Sequence, residues 1–327
     1  MEFLNTERVS LLLGQKRWAF LLAIIAVAVP PLMGRYWIVL ANEILVQSIF
    51  AMSASLLYGY MGRLSFGQGA YFGVGGYIVA LLLTKTSVSF PFALVAGVAG
   101  ATIYAAVTGY FCIRTTGIYF AILSSVGAEV VHYITFTNYS FLGGENGIPN
   151  IYPPAALSGA LTYYYFSLGI AAGVLVVYWL IVNSVFGYSL RCIRDNPERA
   201  TFIGIPVRRN MFIAFVISGA IAGLAGAIFV PFSRIVTPSM CGLFKSMEPV
   251  FMSVIGGGRV LFGPMFGATL WILMESIVLT YTEYWPIVIG SIVMVIVLFM
   301  PGGVLGLLQG KFVASRHKTP EATKPTK

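Results

Sequence analysis

Two ionisable side chains share one face of an otherwise apolar segment: Glu129 and His132, at i,i+3 within 117–137. A carboxylate beside an imidazole can relay a proton, contact a polar solute, or simply pin two helices together. Glu275 stands inside a second apolar run, 262–281, and Gln68 lies among Gly67, Gly69, Gly73, Gly75 and Gly76, close to Ser65. A charge at bilayer depth costs a few kcal/mol or more, so such groups face a polar interior or a partner. Ser65, Gln68, Glu129, His132 and Glu275 are therefore candidate residues of a translocation pathway. The glycines have a plainer reading, because in a membrane they let helices approach closely. Tight packing is favoured for them over solute contact.

No constellation for covalent chemistry accompanies these residues, and no catalytic residue is expected. Cys112, Cys192 and Cys241 stand far apart, without CxxC or Cys/His spacing, so neither a disulfide framework nor a metal site is expected. A phosphate loop needs G-x-x-x-x-G-K-[ST]. The nearest approach, Gly306 to Lys311, has the wrong spacing and ends in Phe312. If ATP drives this protein, a separate chain must bind it; no cofactor is expected on this one.

The elements that must position these groups follow from composition. Hydrophobic residues make up 58% of the 327 and charged residues 9%, with a mean hydropathy of +0.87. A soluble domain carries about a quarter charged residues, so most of this exterior must face lipid. The fold class is an all-α, polytopic bundle of about ten membrane helices. Runs near the length of about 20 residues needed to cross a bilayer fall at 18–33, 37–58, 64–84, 91–113, 117–137, 163–183, 211–232, 262–281 and 284–300. The segment 246–258, with Glu248 and Pro249, reads either as a span or as a re-entrant element. Lys16-Arg17 before an apolar run ending Ala26-Val27-Ala28 has the look of a cleaved signal, but Pro30-Pro31 follows at once, and 18–33 reads as an uncleaved first span.

The formal charge of +9 could suggest a nucleic-acid partner, but the basic residues cluster between and after apolar runs, the pattern of cytoplasmic loops. No nucleic-acid partner is expected. Between Phe186 and Asn210, five arginines outnumber Asp195 and Glu198; the tail 311–327 holds five basic residues against Glu321; Asn138 to Thr162 has Glu145 and no Lys or Arg. The first two are expected inside and the third outside. If 246–258 crosses, ten spans result with both ends inside; if it re-enters, the tail faces outside. The expected organisation is a membrane domain over 1–310, with a cytoplasmic loop at 186–210, and a disordered basic tail over 311–327. A G-R-x-x-F-G frame at Gly62–Gly67 and again at Gly258–Gly263 suggests a possible internal repeat.

Within the basic loop, Asn196 is placed to cap a helix starting at Pro197, Glu198 sits near the positive end of its dipole, and Gly204 supplies a stop. A short helix from Asn196 to about Ile203 is expected, its apolar Phe202 and Ile203 available to a partner's groove. A positive-inside anchor explains the arginines but not the capped helix.

Four segments carry a family resemblance: Gly59-Tyr60 through Leu82; Gly117-Ile118-Tyr119-Phe120 through His132; Phe186 through Phe215; and Gly256 through Ala268 with Pro301-Gly302-Gly303-Val304-Leu305-Gly306-Leu307. The basic loop and the glycine-rich helix after it, Ser218 to Gly226, are the most specific. In order and spacing the chain resembles the inner-membrane permease subunits of branched-chain amino acid ATP-binding cassette importers; urea- and amide-type permeases look alike. The chain departs from the pattern at Gln68, where the family often has His, at Glu145, and at Arg63 and Arg259. The resemblance implies import of branched-chain or similar amino acids across the bacterial inner membrane, by an assembly of two related permeases, two cytoplasmic ATPases holding ATP and Mg²⁺, and a periplasmic solute-binding protein. It further implies that 196–204 is a coupling helix seated in an ATPase groove, with Arg191, Arg194, Asp195, Asn196, Glu198, Arg199 and Gly204 forming the coupling set. An ion-coupled transporter or channel using Glu129 and His132 is the alternative from another class.

Overall fold

The computed structural model describes residues 34–86, 88–281, 285–299 and 303–305. The expected first span at 18–33 and the basic tail at 311–327 lie outside the described residues.

Helix boundaries follow the sequence's punctuation. Helix α1 (Arg35–Ser55) continues into a π-helical turn, Leu56–Met61, and stops at Gly62, whose φ of +73° costs glycine nothing. Helix α2 (Gln68–Lys85) follows, then α3 (Phe90–Cys112) with a proline in its first turn, and α4 (Ile118–Thr137). The connection to α6 (Ala160–Asn183) contains the single turn α5 (Tyr139–Leu142) and the two-residue strand β1 (Ile148–Pro149). Two short helices, α7 (Val185–Asp195) and α8 (Pro197–Phe202), lead to the long α9 (Val207–Ser233). After strand β2 (Ile235–Val236) come α10 (Leu243–Gly256), α11 (Gly263–Tyr281) and α12 (Trp285–Phe299).

Among the described residues six helices are long and apolar enough to cross a membrane: Arg35–Met61, Phe90–Cys112, Ile118–Thr137, Ala160–Asn183, Val207–Ser233 and Gly263–Tyr281. They coincide with six of the expected spans, and the all-α membrane bundle stands. The remaining expected spans that fall on described residues are the glycine-rich α2 and the shorter α12.

The centre is built on close backbone approach. Helix α9 packs on both α2 and α3, which also pack on each other. A Cβ at Gly226 would lie 1.9 Å from the Phe72 carbonyl oxygen, and one at Gly75 would lie 2.2 Å from that of Gly223. Each glycine weakens its helix by about 1 kcal/mol relative to alanine. Backbone-to-backbone packing, which no side chain would permit, is what offsets that cost here.

The stretch 246–258 is neither a full span nor a loop that returns to its own side. Helix α10 has 14 residues, about 21 Å, short of the roughly 30 Å hydrocarbon core. Ahead of it, β2 pairs antiparallel with β1, Ile148 opposite Val236 and Pro149 opposite Ile235, so the segment starts at the end carrying the 138–159 loop. Beyond it, Gly258 lies against Gly59, whose carbonyl accepts a hydrogen bond from Arg194 of the basic loop. The chain from Ile235 to Gly256 thus joins opposite ends of the bundle as an extended and 3₁₀ entry followed by a half-helix. Both G-R-x-x-F-G frames come to the basic end, each leading into a helix, α2 or α11.

Candidate translocation pathway and coupling surface

Gln68 opens α2 and is completely buried. Its Oε1 accepts from the Ser53 hydroxyl at 3.2 Å, and its Nε2 donates to Ser218 Oγ at 3.0 Å. Ser218 in turn donates to the Ser53 carbonyl at 2.7 Å. One amide thereby ties α1, α2 and α9 together, the partner that a buried amide requires. Ser65, also buried, accepts from the Gly67 amide at 3.4 Å. Both residues hold the glycine-rich entry of α2.

Glu129 and His132 meet one segment. Glu129 Oε1 accepts from the Leu243 amide at 2.9 Å, and His132 Nδ1 lies 2.9 Å from the Pro238 carbonyl oxygen. A carboxylate at the first amide of α10 satisfies an otherwise orphaned donor and complements the helix dipole. The pair clasps α4 to the entry of the half-helix. Serine 246, one turn further along, accepts from the Gly69 amide at 2.9 Å.

Glu275 belongs to a group that sequence reasoning only partly found. It lies within electrostatic reach of Glu43 on α1 and of Lys245 and Glu248 on α10. Lys245 pairs with Glu248 at 2.5 Å, and its ammonium sits 5.4 Å from the Phe72 ring centroid and 5.8 Å from those of Phe50 and Phe229. These distances are within cation–π range. Glu43 and Glu275 line a cleft of about 340 Å³ between α1 and α11. The signals for the missed members were a carboxylate inside the apolar run 37–58 and a Lys–Glu pair at i,i+3.

At the basic end, α8 forms as its residues dictate. The Asn196 side chain accepts from the Arg199 amide at 2.9 Å, Pro197 opens the helix, and Gly204 ends it at φ +83°. Phe202 is 89% and Ile203 70% exposed, while Ala200 is buried against the bundle. Arg191 and Arg194 turn inward. Arg191 donates to the Val182 carbonyl at 3.1 Å and lies over the Tyr60 ring; Arg194 donates to the Gly59 carbonyl at 2.8 Å and pairs with Asp195 at 3.0 Å. Glu198, Arg199 and the two apolar side chains form the outward surface.

Such an architecture, a helical bundle with a half-helix at its centre and a capped surface helix at one end, defines a multi-pass helical membrane protein. The model of the family described as "Branched-chain amino acid transport system / permease component" matches residues 37–300, and the chain belongs to that family. It is 25% identical over 323 residues to the high-affinity branched-chain amino acid transport system permease protein LivM of Escherichia coli K12, covering 89% of this chain and 75% of that protein. It is also 25% identical over 296 residues to LivH of Salmonella typhimurium, covering 81% and 94%. A third relative, the probable LivH of Methanocaldococcus jannaschii, is 25% identical over 260 residues, covering 71% and 77%. No solved structure matches the chain. The protein is a multi-pass transport permease of the bacterial inner membrane.

Proposed function

We propose that this chain is one of two related permease subunits of an importer for branched-chain or similar amino acids, powered by two separate cytoplasmic ATPases that hold ATP and Mg²⁺. A periplasmic binding protein delivers the solute to the end carrying the 138–159 loop, and the basic end faces the cytoplasm. The solute itself undergoes no chemistry. The observation that carries the reading is α8: a capped helix, fixed to the bundle through Arg191 and Arg194 of the preceding α7, offering Phe202 and Ile203 to water. Two large apolar side chains held in solvent by a rigid frame fit a partner's groove. Similarity to LivM and LivH, both named as branched-chain amino acid permeases, supports the solute class.

Replacing both anchors, Phe202→Asp with Ile203→Asp, is expected to reduce co-purification of the ATPases at least tenfold while membrane insertion stays intact. Undiminished co-purification would remove the coupling role. Uptake assays with leucine, urea and short amides across the same importer distinguish the amino acid reading from its closest alternative. The ion-coupled reading draws little support, because Glu129 and His132 are both engaged with backbone groups of the 238–243 segment.

A further inference from the structure

The mixed charge group at the middle of the bundle has properties that helix packing does not explain. Glu43 lies about 12 Å along α1 from Arg35, and Glu275 about 9 Å along α11 from Tyr281. Both are therefore well inside the apolar layer. Lys245 is matched to Glu248, so two carboxylates remain on the cleft without an ion pair among the described residues. A carboxylate turned to lipid at this depth would cost several kcal/mol. Lipid is therefore a poor neighbour for the α1–α11 face, which presents two carboxyl groups with no cation paired to them among the described residues.

The rest of the cleft is not polar. Val39, Leu40, Ile272 and Leu279 supply its aliphatic wall, and the hydroxyls of Tyr36 and Ser276, hydrogen-bonded to each other, stand beside it. Both α1 at Arg35 and α11 at Tyr281 end on the side opposite the basic loop, so the cleft belongs to the half through which an imported solute enters. We propose that this cleft is a binding station for the solute inside the permease: the ammonium of an aliphatic α-amino acid sits between Glu43 and Glu275, and its side chain lies on the aliphatic wall. This assignment rests on the amino acid import reading above. Its chemistry selects a primary amine on a branched hydrocarbon: the solute's own carboxylate accepts from the Tyr36 and Ser276 hydroxyls of the same lining, whereas an acid without the amine brings the glutamates no counter-charge.

The complete importer in liposomes, driven by leucine-loaded binding protein, tests it with ATP hydrolysis followed in parallel. For Glu43→Gln with Glu275→Gln, leucine uptake is expected to fall at least tenfold while hydrolysis continues, so that more ATP is consumed per leucine. Glu43→Asp with Glu275→Asp should restore much of the uptake. Added 3-methylbutylamine, an amine without a carboxylate, should inhibit the wild type, whereas 4-methylpentanoate, the acid without the amine, should not. Wild-type uptake in the Gln variant, equal loss of hydrolysis and uptake, or inhibition by the acid alone would overturn the station. Absence of leucine uptake by the wild-type importer would instead overturn the import reading, and the station with it.

Discussion

Glu129 illustrates how one side chain's role depends on which of its properties is used. As an acceptor for the Leu243 amide it needs an oxygen in place; as a proton carrier it would need its ionisation. Glu129→Gln keeps an oxygen there and should transport near the wild-type rate, whereas Glu129→Ala loses the cap. A lost helix cap costs about 1 kcal/mol, so the thermal midpoint of the detergent-solubilised protein should drop for alanine and fall much less for glutamine, which keeps the acceptor and loses only the charge facing the helix dipole. Equal loss in both variants would mean that the charge itself acts. Polar residues of this kind were legible in the sequence, because an amide or carboxylate in an apolar run announces itself. Their partners were not. Gln68 is completed by Ser53 and Ser218, 15 and 150 residues away. Lys245 escaped notice because it follows a stretch that reads as loop and gains meaning only against Glu248, Phe72 and Glu275.

Among the helices, glycines of identical composition serve opposite ends. Gly226 faces the Phe72 carbonyl with no room for a methyl group, whereas a Cβ at Gly173 in α6 would meet nothing within 4 Å. Gly226→Ala should separate α2 from α9 and sharply reduce the yield of folded protein, with overpacking of this sort costing roughly 1–3 kcal/mol or more. Gly173→Ala should be neutral or slightly stabilising, since alanine is the better helix former. Expression and thermal midpoints of the two variants side by side check both expectations. Most helix boundaries were readable from caps, prolines and glycines, α8 almost to the residue. The half-helix was not. Pro249 and Glu248 interrupt its apolar pattern, and its extended lead-in resembles an ordinary loop; only the pairing of β2 with β1 reveals where it starts.

For the molecule as a whole, orientation is the property with the simplest chemical readout. Of the three cysteines, Cys192 on α7 is exposed, while Cys112 and Cys241 are buried. A membrane-impermeant maleimide should label Cys192 in inverted vesicles and leave intact spheroplasts unlabelled, and Cys192→Ser should abolish the signal. Labelling from the outer side would reverse the topology. The asymmetry of basic loops was visible in the sequence from the start, because it depends on composition alone.

The tight fit at Gly59 has a mechanical meaning. A single methyl there would sit 1.8 Å from the Gly258 oxygen, and the Ser55 hydroxyl also donates to that oxygen. Arg194 grips the same spot from the basic loop. A junction with no slack cannot absorb movement as a spring would, so under the proposed coupling role a displacement of the surface helix would carry the half-helix with it. The far tip of that rod is held by Glu129 and carries Lys245, so the basic end and the charged group around Lys245 are joined by one rigid element.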